Sequence, residues 1–155
     1  CPIVPILCGS FQYFITGNYG PERQEKFEAA LSVLHKATAG RRVLVIAAAD
    51  LAHVGPEFGD AMPLDATARA TLTAQDTESL RAICQGSANL FFELSKRESD
   101  SRKICGLPPI YMMLRYLQGV DVKGESVGYS QQPADSDGGS LVSIAGVLLY
   151  GQDGS

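Results

Sequence analysis

The sequence contains no apolar run approaching the roughly 20 residues that cross a bilayer, and its amino terminus lacks the charged-then-apolar order of a signal peptide. Both absences lead us to expect a cytoplasmic protein with no membrane partner. Basic residues are scarce as well: 13 Lys and Arg stand against 17 Asp and Glu, for a net charge of -4 at pH 7. A binder of phosphate backbones needs the opposite balance, so nucleic acid is not an expected partner. Cys-x-x-Cys spacing is missing; Cys1, Cys8, Cys84 and Cys105 are scattered, which reads as reduced thiols rather than a disulfide framework. Gly-x-Gly-x-x-Gly, Walker, Gly-x-Ser-x-Gly and His-Glu-x-x-His signatures are all absent, which weakens nucleotide-dependent and serine-hydrolase readings. Histidine is limited to His35 and His53. A 2-His-1-carboxylate iron site would require the two to converge, and their contexts argue against it.

What is present describes an ordinary globular chain. Its 155 residues are 45% hydrophobic and 19% charged, which fits one domain over residues 1–155. A chain of this length buries roughly 68–70% of its unfolded surface, so its core needs neither metal nor disulfide, and any metal serves function. The apolar runs 3–8 and 42–49 read as buried strands on either side of a helix opened by Pro21 and closed by Gly40. Strand, helix, strand predicts a right-handed parallel crossover. Residues 65–98 read as two or three helices, with a start signal at Asp76–Ser79 and a break at Gly86-Ser87; Pro108-Pro109 opens another helix, to Leu117. Two late strands, 120–130 and 141–150, flank a polar loop and predict an antiparallel pair. The fold class is therefore α/β: a partly parallel sheet flanked by helices, with a carboxy-terminal antiparallel hairpin.

Chemistry is most legible in Asp50-Leu-Ala-His53-Val-Gly55-Pro-Glu57-Phe-Gly59-Asp60, directly after the apolar run 42–49. In open α/β sheets, ligands bind beyond the carboxyl ends of strands. Gly55 and Gly59 let the backbone bend closely around a small ligand. The carboxylates Asp50, Glu57 and Asp60 stand near one imidazole, where they can orient it and raise its basicity, making His53 a general base or a metal ligand. The competing reading has Asp50 capping a turn and His53 bonded within a loop. Cys105 precedes a buried helix whose positive end would favour its thiolate; the alternative is a small buried hydrophobe. Tyr129 and Gln131, at the exit of a strand, are placed to reach a ligand or to close the turn. His35 reads as a surface residue, and Tyr111, Met112, Met113 and Tyr116 as core.

Four motifs in the right order carry a family resemblance. Val45-Ile-Ala-Ala-Ala-Asp50-Leu-Ala-His53-Val-Gly55 resembles the strand-Ser-Ser-Asp-x-x-His motif of the Memo family, whose bacterial and archaeal members are named AmmeMemoRadiSam system protein B. Ile3–Gly9 resembles a family strand ending in Val-Gly, and Ile104-Cys105-Gly106 with Pro109-Ile110 resembles its Cys-Gly-x-x-Pro-Ile. Tyr129-Ser-Gln131 and Val142–Gly146 resemble its last hairpin.

The resemblance spans nearly the whole chain but corresponds to the carboxy-terminal half of a family member. It implies a fold similar to class III extradiol dioxygenases and a pocket of histidines and a cysteine that can bind a redox metal, iron or copper. Cys105 corresponds to the metal-ligand cysteine, and His53 to the pocket histidine at the dioxygenase acid/base position. Two further pocket histidines of the family lie in the amino-terminal half. The resemblance thus implies weak metal binding by this chain, with Cys105 the one assigned ligand. It further implies an exposed apolar face, covered by the missing half or by another copy. Two functions stay open: metal-dependent oxidation of a small substrate, with Asp50 steering His53, or non-enzymatic recognition of a small molecule or peptide.

Overall fold

The computed structural model describes residues 2–151. Helices dominate the first two thirds: α1 (Gln12–Thr16), α2 (Glu25–Thr38), α3 (Ala66–Cys84), α4 (Ala88–Arg97) and α5 (Leu107–Tyr116). The sheet consists of β1 (His53–Val54), β2 (Val122–Pro133) and β3 (Leu141–Gly151), in the order β1-β3-β2 and antiparallel throughout. Local signals place several ends. Pro21 opens a single 3-10 turn ahead of α2, the Asp65 carboxylate caps α3 by accepting from Ala68 N–H at 2.7 Å, and Gly86 and Ser87 separate α3 from α4. Asp76 and Ser79, read from sequence as a helix start, lie inside α3 on its buried face.

The partly parallel sheet is not observed. Runs 3–8 and 42–49 take no regular secondary structure and form no ladder among the described residues, and they leave large apolar side chains exposed: Leu7 is 99% and Leu44 82% exposed. Ile3, Val4 and Ile46 are exposed with them. An apolar run becomes a strand only when a neighbour accepts and donates its backbone hydrogen bonds. Both runs thus expose apolar side chains, and the crossover between them is not observed.

The antiparallel hairpin is as expected, with Tyr129 opposite Ala145 and Gln131 opposite Ser143. A register shift between Ser126 and Gly128 bulges the strand. Pro133 sits at the end of an edge strand, where its missing N–H costs little. The main core lies between the helices and this hairpin. Phe91 and Tyr111 are fully buried, and Phe11 meets the Tyr111 ring edge-on with centroids 5.5 Å apart. His35 is exposed, stacked on Tyr116. No helix among the described residues is long and apolar enough to cross a membrane.

Candidate metal centre

Two segments far apart in sequence are laced together at one end of the sheet. The first runs from Asp50 into β1. Leu51 N–H donates to the Ser143 carbonyl and Ser143 N–H to the Ala52 carbonyl, both at 2.9 Å, while the buried Ser143 hydroxyl accepts from Ala52 N–H at 2.9 Å. The second is the turn between α4 and α5. His53 N–H donates to the Arg102 carbonyl at 2.8 Å and Gly106 N–H to the Asp50 carbonyl at 3.0 Å. Gly106 is required by that approach, because a Cβ there would overlap the Asp50 carbonyl oxygen.

The α4–α5 turn holds an unusual backbone. Ser99, Asp100 and Lys103 have φ of 53°, 53° and 50°, each costing an L-residue about 1–2 kcal/mol. Arg102 offsets that cost from below. Its buried guanidinium donates to Asp76 at 2.6 Å, to Ser79 at 3.0 Å and, through Nε, to Glu98 at 2.8 Å. Burial by itself would lower the Arg102 pKa, but Glu98 and then Asp76 outweigh it and hold the group charged. Tyr129 extends the network, its hydroxyl donating to the second Asp76 oxygen at 2.9 Å.

The lacing brings Asp50, His53 and Cys105 together: a ligand atom of each lies within 4.8 Å of the other two. Bonds of about 2.0–2.3 Å to one ion place ligand atoms roughly 3–4.6 Å apart, so small side-chain adjustments suffice. A thiolate, an imidazole and a carboxylate suit iron, copper or zinc. The family resemblance assigns Cys105 alone as a metal ligand; the fold brings three candidate donors within reach.

Each donor has a distinct environment. The His53 Nδ1 lies 3.3 Å from the Leu51 carbonyl oxygen, which can only accept. A proton on Nδ1 would donate to it, which would leave the Nε2 lone pair for a metal or a proton. The Phe58 ring packs edge-on against the imidazole at 5.1 Å. Orientation by three carboxylates is not observed: Glu57 engages Ser140 through its backbone, and Asp60 accepts from Gly55 N–H at 2.7 Å and pairs with Lys103. The Asp50 carboxylate makes no hydrogen bond or ion pair among the described residues, leaving it available to an ion. Partial burial pushes the Cys105 thiol up, its contact with the Asp50 carbonyl offsets part of that, and the Asp50 charge raises it again, so the thiolate expected from the helix dipole is not favoured. Its Sγ lies 3.6 Å from the Asp50 carbonyl. A metal must displace that proton.

The Asp60 carboxyl responds to opposing influences. Partial burial pushes it up, but the Lys103 ammonium and the Gly55 N–H outweigh burial and hold it below the ordinary carboxylate range. A depressed folded pKa contributes stability above the unfolded value of about 3.9 and loses it as pH falls through the folded value. Asp60→Asn is thus expected to be only slightly less stable than the wild type at pH 7, because the pair is well exposed, with the gap closing in acid below about pH 4. Urea unfolding across that range checks this, and a gap independent of pH would exclude the carboxylate charge as its cause.

A cavity of about 260 Å³ opens beside Cys105, lined also by Cys8, Ser10, Phe11, Asp100 and Lys103. The remaining sequence-predicted residues lie elsewhere. Gly55, with φ of 108°, packs its α-carbon against Gly139 and Ser140, so its conformation serves the loop contact. Gln131 donates to the Arg69 carbonyl at 3.1 Å and to Thr73 at 2.9 Å, closing the hairpin on α3. Tyr129 faces Asp76. Sequence reasoning missed the Arg102–Asp76 pair, whose members lie 26 positions apart in a polar stretch of α3 and in the α4–α5 turn.

The fold and the site define an α/β protein with a candidate Asp-His-Cys centre between a hairpin and a helix–helix turn. The family described as Memo-like protein matches residues 3–148, and the chain belongs to that family. Comparison with curated proteins returns no match.

Proposed function

We propose that the chain carries a mononuclear metal centre held by Asp50, His53 and Cys105, and that it serves the oxidation of a small substrate. The carrying observation is the convergence of the three ligand atoms within 4.8 Å. A redox metal, iron or copper, would supply electron transfer to or from the substrate. Three protein donors leave positions open for that substrate, as in catalytic metal sites generally. Membership of the Memo-like family supports the reading, and the redox assignment follows what the family resemblance implies.

The chain's own residues account for binding and orientation. With Nδ1 engaged by the Leu51 carbonyl, Nε2 is the His53 nitrogen that would take the metal. Cys105 contributes the soft donor and borders the cavity, so a molecule held there lies next to the centre. Phe11, Ile104, Leu107 and Pro108 give the cavity apolar walls. Its volume of about 260 Å³ suits a small molecule better than a peptide segment.

The test is uptake of ferrous or cuprous ion under anaerobic conditions, followed by dialysis and metal analysis. One equivalent per chain is expected, and oxygen consumption in the presence of candidate substrates separates an enzyme from a binding module. No retained metal would overturn the reading.

A further inference from the structure

We propose that the Lys103–Asp60 ion pair is a positioning clamp that sets the separation between Cys105 and His53, an inference that rests on the metal reading above. The pair joins the two loops that carry the donors. Asp60 ends the loop that follows His53, and Lys103 lies two residues before Cys105. One Asp60 oxygen receives the Lys103 ammonium while the other accepts from Gly55 N–H at 2.7 Å, so the carboxylate is tied to both loops at once.

The backbone at Lys103 gives the clamp its leverage. Its φ of 50° is unfavourable for any residue with a Cβ, and such a conformation persists only when the surroundings enforce it. Lys103 N–H donates to the Asp100 carbonyl at 2.8 Å, and the Asp100 carboxylate accepts from Ile104 N–H at 3.1 Å. Those bonds lie within the turn and do not reach the His53 loop. Arg102 holds the turn from the opposite side, toward α3, through side-chain bonds that leave the site-facing edge to Lys103. Backbone bonds from His53 N–H to the Arg102 carbonyl and from Gly106 N–H to the Asp50 carbonyl hold the two ends of this stretch, so releasing the ammonium frees the short span 103–105 between them, which carries the Cys105 thiol. Both partners are about one third exposed, so the pair contributes little to global stability. A partly exposed ion pair of small global worth, joining two ligand-bearing loops, has its main consequence in geometry.

Cobalt(II) is the probe, because a thiolate ligand gives it a charge-transfer band. Lys103→Met is expected to weaken cobalt affinity by about 10–100-fold, the usual effect of removing a partner that orients a ligand. The band should fall, while the thermal midpoint stays close to that of the wild type. Lys103→Arg, which keeps the charge and reaches the same carboxylate, should restore both affinity and band. Asp60→Asn supplies a second route to the same loss should Lys103→Met fold poorly. Wild-type affinity and an unchanged band in both Lys103→Met and Asp60→Asn would overturn the clamp while leaving the metal reading intact. Failure of Lys103→Arg to recover either readout also overturns it. Wild-type protein that takes up no cobalt overturns both.

Discussion

Arg102→Met is expected to destabilise the protein by about 3–5 kcal/mol, the usual consequence of leaving one member of a buried ion pair without its partner. The side chain of Arg102 is 4% exposed and that of Asp76 fully buried, so water cannot replace the lost contacts. Asp76 would keep only the Tyr129 hydroxyl, and Ser79 would lose its guanidinium donor. Against a typical total of roughly 5–15 kcal/mol, this is a large share. At roughly 2–4 °C per kcal/mol for a chain of this size, the thermal midpoint should fall by about 6–20 °C. Urea denaturation gives the free energy directly. A loss below about 1 kcal/mol would show that the pair is solvated. The double variant Arg102→Met with Asp76→Leu should recover much of the loss, because it removes the second charge as well. Arg102 also carries the carbonyl that receives His53 N–H, so the single variant should lose metal affinity along with stability.

Cys105→Ala is expected to reduce metal affinity by more than about 100-fold, exceeding the effect of losing an outer-shell partner, because the substitution removes a ligand itself. Cobalt bound to the wild type should show a thiolate charge-transfer band, and the variant should show none. His53→Ala should also weaken binding strongly but keep the band, since the sulfur stays. Cys105 is exposed and outside the hydrophobic cores, so its replacement should change unfolding by less than about 0.5 kcal/mol. That separation of binding from stability identifies the thiol as a ligand. Unchanged stoichiometry and spectrum in Cys105→Ala would place the metal elsewhere.

Local sequence alone determined the elements whose signals are self-contained. Gly86-Ser87 ends one helix and caps the next, Pro108 falls in the first turn of α5, and two runs around a polar loop pair as a hairpin. Their hydrogen-bond partners lie within a few residues or across a single turn, so short-range patterns suffice. The runs 3–8 and 42–49 show the limit of that logic. Their β propensity is evident, but ladder partners are a property of neighbours in space, and none pairs with them among the described residues.

The site divides in the same way. His53, Asp50 and Cys105 were legible as chemistry-bearing residues, because their types and flanking glycines stand out in the chain. Their convergence was not, since it depends on Gly106 approaching the Asp50 carbonyl and on β1 joining β3 across 87 to 89 positions. Asp76 and Ser79 carry the clearest contrast: from sequence they resemble a helix cap, and in the fold they hold Arg102. Tertiary structure decided their role because a buried guanidinium must find acceptors, and the inner face of α3 is where the fold supplies them.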